Sequence, residues 1–260
     1  MKIASIQYKI DDAKTKEERI GDIEKLTDKT SDADLILLPE MWNIGWRSFQ
    51  EYQNQAETFE GPTITSIARK AQAHNSYIMA GTIVEKQDSK LFNTAVLVDP
   101  RGRVAAYYRK IHLVTRKGSE EYRYLSAGNE PVSIKTELGV FGFAVCYDLR
   151  FPELFRKMAV KHGVEVFLVP AAWPLVRVEN WMDLNHVRAN ENLAYLISCN
   201  CVGENRGVRY LGHSTVVDPH GVPIASTGLF EDIVKTEIDV EDVQRVREEV
   251  GHLKNITLEI

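Results

Sequence analysis

The sequence predicts an α/β domain whose helices cover the faces of a β-sheet. Three observations carry that expectation. Apolar runs alternate with charged amphipathic segments from one end of the chain to the other, the pattern of strands separated by helices. Two runs, Ala33–Leu38 and Val164–Val169, are almost wholly apolar and each is followed by a proline, as suits strands buried on both faces. No internal repeat, low-complexity stretch or Gly/Ser/Pro-rich linker divides the chain. Residues 1–260 therefore read as one domain.

The elements follow in order. Ile3–Tyr8 reads as a strand and Thr15–Thr30 as a charged amphipathic helix. After the strand Ala33–Leu38, Pro62–His74 has helical spacing with a proline near its start, where the missing N–H costs nothing. Tyr77–Val84, Thr94–Val98 and Val104–Tyr108 are strand-like and separated by turn chemistry such as Asp99-Pro100-Arg101-Gly102. Residues 110–130 form a long polar loop, and loops of that length in compact domains are usually functional. Phe141–Val145 is a strand, Pro152–His162 a helix, Val164–Val169 a buried strand and Asn180–Asn192 a helix leading into the strand Tyr195–Asn200. Strands near Ser214–Val217 and Ile233–Ile238 precede a charged helix across Val240–Glu249.

Composition narrows the function. The 260 residues are 44% hydrophobic, 27% charged and 9% aromatic, close to the globular average. Against 32 Lys and Arg stand 37 Asp and Glu, a mildly acidic balance that argues against a nucleic-acid partner. Three cysteines form no disulfide framework, which points to a reducing compartment and a cytoplasmic protein. Asp11 and Asp12 interrupt the N-terminus before any signal-peptide core. No apolar run approaches the roughly 20 residues of a membrane span.

Three reactive side chains sit at or just beyond the ends of expected strands: Glu40 after LILLP, Lys110 after VAAYYR and Cys146 after VFGFAV. In open α/β sheets, ligand sites collect outside the carboxyl ends of strands. Cys146 precedes Asp148-Leu149-Arg150-Phe151-Pro152-Glu153, which opens a helix. A helix N-terminus favours thiolate, and the N–H of Tyr147 offers an oxyanion donor. The competing reading is a buried structural cysteine. Cys199 and Cys201 fit that plainer role, two apart and on one strand face.

A nucleophilic thiol needs a base. Seven histidines are present, but none lies in a Cys–His signature. Glu40 is the other candidate, since a carboxylate in a site closed from water is basic enough to take a thiol proton. Lys110 offers a fixed cation for a developing oxyanion. Alone, Glu40 reads as well as a loop glutamate and Lys110 as solvated charge. Glu120 and Glu121 offer a second carboxylate in the long loop. Other motifs fail. GHSTV begins like a nucleophile elbow but has Val216 in the final glycine position. No phosphate loop, dinucleotide fingerprint, C-x-x-C or H-E-x-x-H occurs, so no metal and no cofactor is implied.

Together these segments resemble the nitrilase superfamily of carbon–nitrogen hydrolases. The matching pieces are LLPEMW, YYRKIHL, EYRYLSAG, VCYDLRFPEL, PAAWPLVR, HVRANEN and GHSTVVDPHG. They stand in family order from Ile3 to about Asp239. The resemblance implies a four-layer α-β-β-α sandwich and a Glu–Lys–Cys triad carried by Glu40, Lys110 and Cys146, with Glu121 as the supporting glutamate. It also implies pairing of two copies through the outer helices.

CYDLRFPE with AAWPLVRVENW looks most like the omega-amidase branch, which hydrolyses small ω-amides such as 2-oxoglutaramate through a thioester. Arg150 then suits a substrate carboxylate, against a local ion pair with Glu153. Trp42, Trp46 and Trp173 are candidate pocket walls. Asn190 and the pair Trp46-Arg47 depart from the family pattern. The alternatives are hydrolysis of an N-carbamoyl amine and, in another class, an inactive binding protein.

Overall fold

Alternation along the strands decides which way each side chain faces. The computed structural model describes residues 1–260. In the strands Lys2–Gln7, Leu35–Leu37, Tyr77–Gln87 and Lys90–Val98, the odd-numbered Ile3, Leu35, Leu37, Met79, Ala95 and Leu97 enter one core. Their even-numbered neighbours Ala4, Ile6, Ile36, Ile78 and Val96 enter another, with Ile23, Ile64 and Ile67 of the helices Lys16–Asp28 and Pro62–His74. The second core lies between the first sheet and its helices, while the first fills the space between the two sheets and continues to Phe155, Met158 and Trp181 of the helices on the second sheet. A period of two has sorted one set of apolar residues into two layers.

The two main sheets have six strands each, and a small third one pairs 208–209, 202–205 and 9–10. The first runs 232–237, 2–7, 35–37, 77–87, 90–98, 104–109, and the second 223–226, 215–217, 195–200, 166–171, 139–143, 133–136. In each, three central strands are parallel and the flanking ones antiparallel. The helices Pro152–Lys161 and Val178–Asn192 connect the parallel strands of the second sheet, as Lys16–Asp28 and Pro62–His74 do in the first. The sheets face each other: Cys199 Sγ donates to the Ile6 carbonyl at 3.2 Å and Ser5 Oγ to that of Ser198 at 3.4 Å. The architecture is the four-layer α-β-β-α sandwich.

Local chemistry explains the helix starts. Thr15 and Glu18 form a capping box at Lys16, and Pro62 opens its helix at the first position. The strand expected at Phe141–Val145 instead spans Gly139–Phe143. Ala144 N–H makes one last bond to the Leu168 carbonyl at 3.2 Å, and beyond it the chain leads into a 3₁₀ turn, Cys146–Arg150. Short strands were not expected at the sheet edges 133–136 and 223–226 or in the small sheet at 202–205 and 208–209, because such brief pairing demands little hydrophobic pattern. Within 110–130 the only regular element is the single turn Glu121–Arg123. No helix is long and apolar enough to cross a membrane.

Candidate active site

Four segments deliver a thiol, two carboxylates and an ammonium to the same ends of the two sheets. Glu40 follows the strand Leu35–Leu37, and its side chain is wholly buried. Its Oε2 accepts the Ala172 N–H at 2.9 Å, while Oε1 accepts from Asn93 Nδ2 and from Lys110 Nζ, both at 2.8 Å. Lys110 follows the strand Val104–Arg109 and is equally buried. The chain there is pinned by two backbone bonds, Lys110 N–H to the Asn93 carbonyl and Gly128 N–H to the Lys110 carbonyl, each 2.9 Å. Any side chain at Gly128 would place its Cβ 2.1 Å from the Arg109 carbonyl oxygen, so only glycine permits this approach.

The supporting glutamate comes from the long loop. Glu121 begins the turn Glu121–Arg123, with Oε2 3.1 Å from Lys110 Nζ. Its Oε1 accepts from Asn93 Nδ2 at 2.9 Å and Trp46 Nε1 at 3.2 Å, and Oε2 takes the Val114 N–H at 3.0 Å. Asn93 thus donates to both glutamates at once. Burial pushes the Lys110 ammonium toward neutrality, but Glu121 and Glu40 outweigh it and hold its pKa above the usual lysine value. The cation is fixed in charge and in place.

Cys146 occupies a left-handed backbone conformation, φ 48°, uncommon for a residue with a side chain. Asp148 holds the turn from within. Its Oδ2 accepts the Val145 N–H at 2.8 Å and the Tyr108 hydroxyl at 2.9 Å, and its Oδ1 lies 2.7 Å from His112 Nδ1. The thiol does not lie at an α-helix N-terminus, since the helix begins only at Pro152. This corrects the expectation of a dipole-favoured thiolate. Burial, reinforced by the Glu40 charge, pushes the Cys146 thiol well up, and the Lys110 ammonium opposes this without winning. Burial and the Glu40 charge thus favour the neutral form of the thiol.

Above the thiol opens a cavity of about 880 Å³. Cys146, Tyr147, Arg150 and Trp173 line it, as does Trp46. Arg150 forms no ion pair with Glu153; its guanidinium lies 4.9 Å from the Trp173 ring centre and donates to Asn180 Oδ1 at 3.3 Å. Trp42 is a correction. It is wholly buried, donates Nε1 to the Ala80 carbonyl at 2.8 Å, and packs in the sheet–helix core instead of walling the cavity. Asn190 is also remote, bonded to the His220 carbonyl, whereas Arg47 does line the cavity. No histidine lines it. Ser214 of GHSTV is buried and bonded to Gln7 and Asn200.

Sequence reasoning missed Asn93 and Asp148. Asn93 was detectable as the one amide inside the apolar run LFNTAVLV, since a buried amide needs partners. Asp148 stood within the nucleophile motif, but its inward orientation depends on Tyr108 of the other sheet and on His112 in the loop beyond it.

A two-sheet sandwich with a buried Glu–Lys–Cys constellation at its strand ends defines the class, and comparison with known proteins agrees. The chain belongs to the carbon–nitrogen hydrolase family, whose pattern it matches over residues 2–248. It is 33% identical to a 2-oxoglutaramate amidase of Paenarthrobacter nicotinovorans, over 94% of this chain and 85% of that protein. A 2-oxoglutaramate amidase of Bacillus subtilis is 34% identical, over 95% and 94% of the respective chains. Among solved structures, the CN-hydrolase superfamily protein XC1258 of Xanthomonas campestris superposes with a TM-score of 0.92 at 26% identity, over 100% of this chain and 98% of that one. The protein is a carbon–nitrogen hydrolase of the amidase kind.

Proposed function

We propose that the protein releases ammonia from a small ω-amide bearing a distal carboxylate, with 2-oxoglutaramate as the leading substrate. The observation that carries this reading is the buried Cys146 thiol on a cavity walled by Arg150, with the wholly buried pair Glu40 and Lys110, 2.8 Å apart, delivered to the same strand ends. Glu40 takes the thiol proton as Sγ attacks the amide carbon, and Lys110 Nζ and the Tyr147 N–H receive the oxyanion. Glu40 returns the proton to the departing nitrogen, so ammonia leaves and a thioester remains. Glu40 then draws a proton from water, which attacks the thioester and releases the carboxylic acid and the thiol. Glu121 keeps Lys110 charged and placed. Arg150 clamps the distal carboxylate.

The cavity lining argues against carbamoyl amines with a cationic tail. It holds Arg47, Arg116, Lys117, Arg150, Arg177 and Arg209 and no carboxylate, which would repel an ammonium. Pairing of two copies through the outer helices belongs to the same reading, by resemblance to the family.

The test is ammonia release from 2-oxoglutaramate, 2-oxosuccinamate, glutamine and N-carbamoylputrescine. Wild type is run beside Cys146→Ala and Glu40→Gln. Ammonia from the oxo-amides is expected, with a loss of about 10²–10⁴-fold on removing the base. Release confined to the carbamoyl compound would overturn the substrate reading.

A further inference from the structure

A five-carbon amide leaves most of this cavity unexplained. Cavities of roughly 300–1,000 Å³ hold drug-sized molecules, whereas 2-oxoglutaramate has about ten non-hydrogen atoms and a single negative charge. The lining is also one-sided in charge. Six cations converge from five separate segments: Arg47, Arg116 and Lys117 of the polar loop, Arg150, Arg177 and Arg209. Not one of them lies within 4.0 Å of a carboxylate in any ion pair of the molecule. With signs drawn at the chain's own ratio of 32 to 37, six cations and no anion would arise about once in a hundred.

Their partners divide them. Arg150 is spread over Trp173 and tied to Asn180, close in sequence to the thiol. Arg47 is spent on structure, donating to the Gly118 carbonyl and, at 2.7 Å, to Ser119 Oγ. That bond holds the polar loop at the cavity edge. Arg116, Lys117, Arg177 and Arg209 donate no side-chain hydrogen bond at all, and all four are exposed. A protein of net charge −5 thus gathers four unspent cations around the opening of its one catalytic cavity.

We infer that the cavity also takes ω-amides larger and more anionic than a keto-acid amide: an extended ω-amide with its first carboxylate at Arg150 and a second anionic group, carboxylate or phosphate, held by Arg116 and Lys117 at the rim. The inference rests on the amidase reading above, and adds a second anion subsite to it. Unpaired rim cations raise the local concentration of such an anion and lose their pull as salt screens them.

Binding is measured by calorimetry on Cys146→Ala protein, so that no turnover intrudes. The probes share the five-carbon ω-amide and its carboxylate: N-succinylglutamine, its uncharged isostere N-(4-methylpentanoyl)glutamine, and N-(phosphonoacetyl)glutamine. The succinyl compound is expected to bind at least about tenfold tighter than the isostere at low salt, with the ratio collapsing toward one on adding Arg116→Gln and Lys117→Gln. Tighter binding of the phosphonate than the succinate assigns the subsite to phosphate, and the reverse to carboxylate. Equal affinities, or no binding of the acylglutamines, overturn the second anion. Wild-type turnover of 2-oxoglutaramate is read separately. Its absence beside an intact affinity ratio overturns only the substrate reading, and its presence with no ratio overturns only the subsite.

Discussion

At Lys110 one ammonium serves two buried carboxylates, with Nζ 2.8 Å from Glu40 and 3.1 Å from Glu121 and no solvent exposure on any of the three side chains. Such a cluster is costly to assemble and more costly to break, because removing one partner leaves charge uncompensated in the interior. Lys110→Met should therefore lower unfolding free energy by about 3–5 kcal/mol, read by urea denaturation at neutral pH. A loss below about 1 kcal/mol would mean that Asn93 and the backbone N–H groups carry the carboxylates without it. A lone lysine at a strand end is ordinarily solvated, and only Glu121, brought in from the long loop, makes its burial intelligible.

The element that places Cys146 is the turn Cys146–Arg150. It exists because Ala144 and Val145 leave the strand and Asp148 bonds back to the Val145 N–H. The sequence placed the thiol after a strand, but it suggested an α-helix dipole where the structure has a 3₁₀ turn and a left-handed Cys146. The reason is tertiary: Tyr108, from the other sheet, and His112, just beyond it, complete the Asp148 shell. Asp148→Ala leaves a buried N–H and a hydroxyl without an acceptor, a cost of about 1–3 kcal/mol each. It should also lower kcat far more than it raises KM, since the thiol loses its placement while the cavity walls stand. An unchanged kcat with raised KM would assign Asp148 to substrate binding instead.

At the scale of the whole molecule, many buried acids are kept protonated. Burial pushes the Cys199 thiol up to about 12, and burial with Glu137 does the same for the Tyr77 phenol. Cys146, Cys201, Tyr52, Tyr108 and Tyr210 are raised as well, chiefly by burial. Above the ordinary thiol and phenol values the unfolded chain gives up these protons while the folded chain retains them. Stability is then fully present below pH 9 and falls as pH rises toward 12. Denaturant midpoints taken from pH 8 to pH 11 should drop steadily, and a flat profile across that range would contradict the burial of these groups.

Sequence by itself determined the α/β class, the helix starts at Lys16 and Pro62 and the placement of Glu40, Lys110 and Cys146 at strand ends. Those features rest on periods of two and 3.6, on capping chemistry and on prolines, all of which are local. Its family motifs also singled out Glu121 over Glu120. The tertiary structure decided which groups meet. It sent Trp42 into the sheet–helix core and Trp173 to the cavity, a choice between two apolar destinations that hydrophobicity cannot make. It recruited Asn93 to bridge two glutamates, and it gathered Arg116, Lys117, Arg150, Arg177 and Arg209 around one opening. Distant segments share a site only after both sheets have packed, so neither the neutrality of the thiol nor the sign of the cavity was written at any single position.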